Sequence, residues 1–207
     1  TIDLARQDGD DLKADLLRRD YRINAIGLTL TTEPKLLDPS GGIADLRDQR
    51  ITAVHEQNLL DDPLRLLRAL RLAAELSMTI DEATLEMISR HRHHLPKVAP
   101  ERIQAELLKL VQAKNADQAI LLLHSLQLIA PWSSNQPQRT FNTEALTKQE
   151  EQLALPLARL TQLLSDQGVN DLRFSRKQIQ RCLRLRRWWT RDQQQDADAL
   201  KERERLK

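Results

Sequence analysis

Apolar and polar positions alternate over Thr1–Ala5, a pattern that predicts a short half-buried strand. Asp8-Gly9-Asp10-Asp11 reads as a turn, and Leu12–Arg19 as a short helix. Tyr21–Leu30 carries Ile23, Ala25, Ile26 and Leu28, which fits a buried helix end or a strand. Turns follow at Thr31–Pro34 and Asp38–Gly42, with a short strand at Lys35–Leu37 between them, a helical turn at Ile43–Arg47 and a last strand at Ile51–Val54. Residues 1–55 are therefore expected to be a mixed α/β piece. From Leu60 the period becomes helical. Helices are predicted over Asp62–Leu76, Asp81–Arg92, Pro100 to about Ala113 and Asp117–Leu126, then Thr143–Leu164 and Ser175–Trp189. Ser133–Arg139 is the best linker candidate, and the charged tail from Asp192 reads as frayed helix or disorder.

Composition narrows the class. Hydrophobic residues make up 40% of the 207 but aromatics only 3%, so the core is mostly Leu, Ile and Ala, which favours helix-on-helix packing. The net charge of +2 is too mild to identify a polyanion partner, so the distribution of charge has to decide. Cys182 is the one cysteine, which excludes an internal disulfide and agrees with a reducing, cytoplasmic setting. No apolar run approaches the roughly 18 residues of a membrane span, and no membrane partner is expected.

The stretch with the most chemistry is Asp61-Asp62-Pro63-Leu64-Arg65-Leu66-Leu67-Arg68-Ala69-Leu70-Arg71. Asp62 is a natural N-cap and Pro63 suits the first helical position, where no donor is needed. Arg65, Arg68 and Arg71 follow at a constant step of three, each step turning the helix by roughly 300°. They form a slowly drifting stripe opposite the leucines. A carboxylate accepts and a guanidinium donates. Side by side they match an edge with an amino donor next to a ring-nitrogen acceptor, as cytosine and adenine present. Uracil and guanine reverse that order and would leave buried groups unpaired, which is costly.

This stretch resembles the nucleotide-reading motif of the bacterial-type tRNA nucleotidyltransferase and poly(A) polymerase family. Three other blocks agree in order: Asp15–Ala25 with Arg18-Arg19-Asp20, Leu37–Leu46 with Asp-Pro-Ser-Gly-Gly, and Glu101–Leu107. The family usually has Glu-Asp where this chain has Asp61-Asp62. The resemblance implies a mainly α chain: the C-terminal remnant of an α/β nucleotidyltransferase head (1–55), a helical neck (56–131) and a helical, tRNA-binding body (132–207). It also implies that Arg19, Asp62, Arg65, Arg68 and Arg71 bind the incoming CTP or ATP, with Asp20 and Asn24 orienting its ribose. The family's Gly-Gly-x-Val-Arg-Asp segment, which precedes its metal-binding Asp-x-Asp pair, does not occur here. Mg2+ ligands are expected upstream of Thr1, no catalytic residue is assigned in this chain, and the chain alone is expected to be inactive in nucleotide addition.

Other features carry less. Asp38–Gly42 lacks the lysine of a P-loop and reads as a tight turn. His91, His93 and His94 read as a solvated helix end, and no metal site is assigned. Glu101, Arg102 and Glu106 read as a helix start with an internal salt bridge, which the resemblance implies also braces the reader helix. Arg176, Lys177, Arg181, Arg184 and Arg187 belong to an acid-free basic run suited to RNA phosphates, expected along a tRNA acceptor arm. Trp188 and Trp189 within it read as core in preference to base-stacking platforms. The short link between the first strand and Arg18 resembles relatives that add only the two cytidines, so CC addition is favoured over CCA. Poly(A) polymerase remains an alternative, as does an RNA-binding helical module without nucleotide chemistry.

Overall fold

The computed structural model describes residues 11–134 and 147–205, with side chains described as far as Arg191. The strand expected over Thr1–Ala5, most of the linker and the start of the Thr143–Leu164 helix lie outside the described residues. Two compact units divide between Ala130 and Pro131.

In the first unit, α1 (Leu12–Leu17) starts where the Asp11 carboxylate accepts from Ala14 N at 2.7 Å. The ambiguous Tyr21–Leu30 segment resolves into both alternatives: a 3₁₀ turn at Arg22–Asn24, then strand β1 (Gly27–Leu28). β1 pairs antiparallel with β2 (Leu36–Leu37). The Asp38–Gly42 turn joins β2 to α2 (Gly42–Arg47). Asp38 caps this helix, its two carboxylate oxygens accepting from Gly42 N at 2.6 Å and Ile43 N at 3.0 Å. Gly41 has φ +81°, where a side chain is strained although there is space for it, and a Cβ on Gly42 would lie 2.0 Å from the Arg22 carbonyl oxygen, where there is no room.

Strand β3 (Arg50–Ile51) pairs in parallel with β4 (Thr79–Ile80). This pairing sets Ile80, the residue just before the expected Asp81–Arg92 helix, against Ile51. Between the two strands run α3 (Glu56–Asp61) and α4 (Leu64–Leu76). Pro63 makes the break between these helices. Its ring disfavours helical geometry at the preceding residue, and Asp62 is extended (φ −137°, ψ 96°). Pro63 itself is helical (φ −61°, ψ −15°), and Arg65 N donates to Asp62 O at 2.9 Å. α4 buries Leu64, Leu66, Leu67, Ala69, Leu70, Leu72 and Ala74. It packs on α6 (Pro100–Gln112) and α7 (Ala116–Ser125), while α5 (Glu82–His91) starts at a capping Asp81. The core of this unit is thus wrapped around α4, whose arginine stripe is left facing outward.

The second unit begins with Pro131, Trp132 and Ser133, the last of which bridges to Leu164, and contains α8 (Lys148–Leu163), α9 (Asp166–Asp171) and α10 (Arg176–Arg205). Thr147 and Glu150 form a reciprocal capping box at the start of α8. α10 runs well past Trp189, because its distal segment is rich in Gln, Ala, Lys, Glu and Arg, all strong helix formers. Of the two alternatives for the tail, helix is the one found, continuous to Arg205. α10 buries Cys182 and Trp189, and burial pushes the Cys182 thiol up. Arg186 points inward too: it pairs with Asp166 and donates to the Thr161 and Leu164 carbonyls at 2.7 and 2.6 Å, tying α10 to the end of α8.

Candidate functional site

Arg19, Asp20, Asn24, Asp62, Arg65, Arg68, Arg71 and Leu72 line one open cleft of about 420 Å³ in the first unit. Seven of these eight are the nucleotide-contact and ribose-orienting candidates of the sequence. α4 supplies the floor through its outward stripe. The segment after α1 supplies the opposite wall, and Asp62 stands at the break between α3 and α4.

A web of anchors orients these side chains. Asp20 is buried; one carboxylate oxygen accepts from Tyr21 N at 2.9 Å and Asn24 Nδ2 at 3.0 Å, and the other lies 2.9 Å from Arg68 Nε. Asp20 is thereby filled by protein partners and acts on the cleft by fixing Arg68 and Asn24. Arg19 is half exposed, with one guanidinium nitrogen on Asp15 at 2.8 Å. Arg65 Nη1 donates to the carbonyls of Arg18 (3.0 Å) and Asn58 (2.8 Å), while its own carbonyl accepts from the Tyr21 hydroxyl at 2.5 Å. Asn58 in turn donates to the carbonyls of Leu17 and Arg19 at 2.8 and 2.7 Å. Burial, and then the neighbouring Asp20 charge, push the Tyr21 hydroxyl far above its ordinary value, so it stays a donor.

Asp62 divides its two oxygens. Oδ2 accepts from Arg102 Nη2 at 2.7 Å, and Oδ1 takes a long 3.3 Å contact from Leu64 N in the first turn of α4. Partial burial raises its pKa, but the Arg102 hydrogen bond and charge, the Leu64 N–H and the charge of Arg65 together outweigh that. The carboxyl is held below the usual range. Asp62 is thus an ionised acceptor next to the Arg65 donors.

Arg71 is the most committed arginine of the stripe. Its side chain is only 12% exposed, with Nε 2.6 Å from Glu106 and Nη1 on Glu75. The expected internal salt bridge of α6 is therefore a correction: Arg102 and Glu106 each reach across to the cleft, to Asp62 and Arg71. The sequence reading also missed Tyr21 and Asn58. Their bonds span 44, 41 and 39 residues, and no local pattern announces them. His91 is likewise less solvated than expected, with Nε2 2.6 Å from Glu56, and that bond with the Arg90 charge holds the Glu56 carboxyl low.

Parts of the chain are similar to known proteins. A family model described as the poly A polymerase head domain matches residues 3–52, and one described as the probable RNA and SrmB-binding site of polymerase A matches residues 77–136. A CC-adding tRNA nucleotidyltransferase of Synechocystis sp. is 39% identical over 135 residues, 65% of this chain and 32% of that protein. Over these matched stretches the chain is similar to the tRNA nucleotidyltransferase and poly(A) polymerase family. A CCA-adding enzyme of Levilactobacillus brevis is 39% identical over 111 residues, 53% of this chain and 28% of its own length. Among solved structures, a Thermotoga maritima CCA-adding enzyme complexed with tRNA(CCA) superposes with a TM-score of 0.71 at 25% identity, covering 85% of this chain and 48% of that one. The chain thus spans about a third of the curated family members it matches.

The basic run of the second unit divides by burial. Arg176, Lys177, Arg181, Arg184 and Arg187 are exposed, whereas Arg186 is inward. The two tryptophans split as well: Trp189 is core, as expected, but Trp188 is 61% exposed.

Proposed function

We propose that this chain selects the nucleotide in a tRNA nucleotidyltransferase that adds C, from CTP, to the 3′ end of tRNA. The observation that carries this reading is the convergence of Arg19, Asp20, Asn24, Asp62, Arg65, Arg68 and Arg71 on one cleft. Each member of the Asp62–Arg65 couple is anchored by protein partners, with Asp62 Oδ1 only weakly engaged and Arg65 lining the same cleft. An incoming cytosine donates its amino group to Asp62 and accepts at its ring nitrogen from Arg65. Adenine does the same. Uracil and guanine put an oxygen against the carboxylate and an N–H against the guanidinium. Arg19 and Arg68, the more exposed cations, hold phosphate oxygens, and Asn24, steadied by Asp20, bonds the ribose.

Transfer to a 3′-hydroxyl needs divalent metal, normally Mg2+, to activate the nucleophile and steady the leaving pyrophosphate. The described residues do not fit that role: no group of three metal-ligating side chains occurs among them. The cleft carboxylates of Asp20 and Asp62 are each engaged by an arginine. Cytosine-only addition is favoured by the short link ahead of Arg18. The helical body, through Arg176, Lys177, Arg181, Arg184 and Arg187, holds the tRNA acceptor arm, and the single cysteine suits a cytoplasmic setting.

Equilibrium binding of the four nucleoside triphosphates to this chain tests the reading. CTP and ATP are expected to bind at least about tenfold tighter than UTP and GTP, with Asp62→Ala and Arg65→Ala flattening the preference. Equal binding of all four by the unmutated chain overturns it. In the whole protein, terminal A added to tRNA as fast as C would overturn CC-only addition. Extension of a generic RNA primer as readily as tRNA would point to poly(A) polymerase.

A further inference from the structure

An exposed tryptophan stands inside the basic face of α10. At about 100° per residue, Arg176, Lys177, Arg181, Arg184, Arg187 and Trp188 fall within an arc of roughly 140°. The opposite arc buries Cys182 and Trp189 and carries the inward Arg186. No acid interrupts α10 between Arg176 and Arg191, and none of the five cations forms an ion pair among the described side chains. A large ring left 61% exposed amid unpaired charge gains little from its own fold. Ring and cations together have the two properties that single-stranded nucleic acid demands: a flat apolar surface for a base and cations beside it for the phosphates. Arg184 and Arg181 precede Trp188 by one and two turns, about 6 and 10.5 Å along the axis, within reach of phosphates flanking a stacked base.

We propose that Trp188 is a stacking platform for an unpaired RNA base, with Arg181, Arg184 and Lys177 gripping the adjoining phosphates. The inference rests on the reading of the helical body as RNA-holding and makes it specific: α10 distinguishes an unpaired stretch from a closed duplex. Base–aromatic stacking lowers affinity by about fivefold or more when the ring is removed, whereas phosphate contacts act on paired and unpaired RNA alike.

The test is anisotropy titration of the full chain with a short unpaired oligoribonucleotide, a blunt RNA duplex and heparin. Trp188→Leu is expected to weaken unpaired RNA about fivefold or more and leave duplex and heparin nearly unchanged, with the salt slope preserved. Trp188→Phe, which keeps a ring, should restore most of the loss. Arg184→Ala should weaken all three ligands and reduce the RNA salt slope by about one. Because Trp132 and Trp189 are buried, acrylamide quenching reports chiefly on Trp188, and bound unpaired RNA should shield it. Binding of unpaired RNA by Trp188→Leu within a factor of about two of the unmutated chain overturns the proposal. So does an equal loss on duplex, or quenching that RNA does not alter. If the unmutated chain binds no RNA, the RNA-holding reading of the body falls as well. If it binds with a normal salt slope while Trp188 proves neutral, only this inference falls.

Discussion

Replacing Arg71 by methionine tests whether α6 braces α4 through buried charge. Arg71 is 12% exposed and its partner Glu106 is 8% exposed, with 2.6 Å between Nε and Oε2. Removing the cation leaves the Glu106 carboxylate desolvated without a counter-charge, and breaking one half of such a pair costs about 3–5 kcal/mol. The second contact, to the more exposed Glu75, adds only about 0–1 kcal/mol. Methionine keeps most of the apolar stem, so the lower part of that range, about 3 kcal/mol, is expected. The decisive comparison is Arg71→Met combined with Glu106→Leu, which removes both charges. That double variant should recover at least about 1 kcal/mol over the single one, because the orphaned carboxylate is gone. Urea unfolding followed by circular dichroism and Tyr21 absorbance measures both, since Tyr21 is the only tyrosine and lies in the first unit. A single-variant cost below about 1 kcal/mol would place the pair in the class of surface ion pairs. A double variant no better than the single would show that packing, not charge, sets the cost.

Four further outcomes follow from named contacts. Gly42→Ala forces a methyl group against the Arg22 carbonyl oxygen, 2.0 Å from where its Cβ would sit, and should destabilise the first unit by about 3 kcal/mol in thermal unfolding. Tyr21 is buried with its pKa raised, so its stabilising effect is present below the unfolded value and lost on moving above it. Stability should therefore fall as pH rises past about 10, and phenolate absorbance should appear only with loss of helix. Asp62 is shifted the other way. Its stabilising effect is present above the unfolded value and lost as pH falls through the lower folded one, so base preference should hold from pH 8 down to about 5. Arg102→Ala should raise the Asp62 pKa measured by carboxyl NMR titration, and an unchanged value would contradict the anchoring.

The sequence by itself determined what local chemistry controls. Pro63 and Asp62 mark the start of α4, Asp38 and the paired glycines dictate the β2–α2 turn, and the apolar period separates the buried face of α4 from its arginine stripe. It also sufficed to name the residues that line the cleft, because a motif on one helix and a block near Arg19 keep their spacing along the chain. Tertiary structure decided everything that depends on partners far apart in sequence. Ile80 became a strand residue because Ile51 was there to pair with it. Arg102 and Glu106, which sit one turn apart and invite a mutual bond, turned instead to Asp62 and Arg71, 40 and 35 residues away. Of two adjacent tryptophans, the helix phase against α8 and α9 buried one and left the other in solvent. The physical reason is the same in each case. Helix period and turn stereochemistry act between near neighbours, whereas the partner of a charge or a ring is fixed only when distant segments meet and exclude water between them.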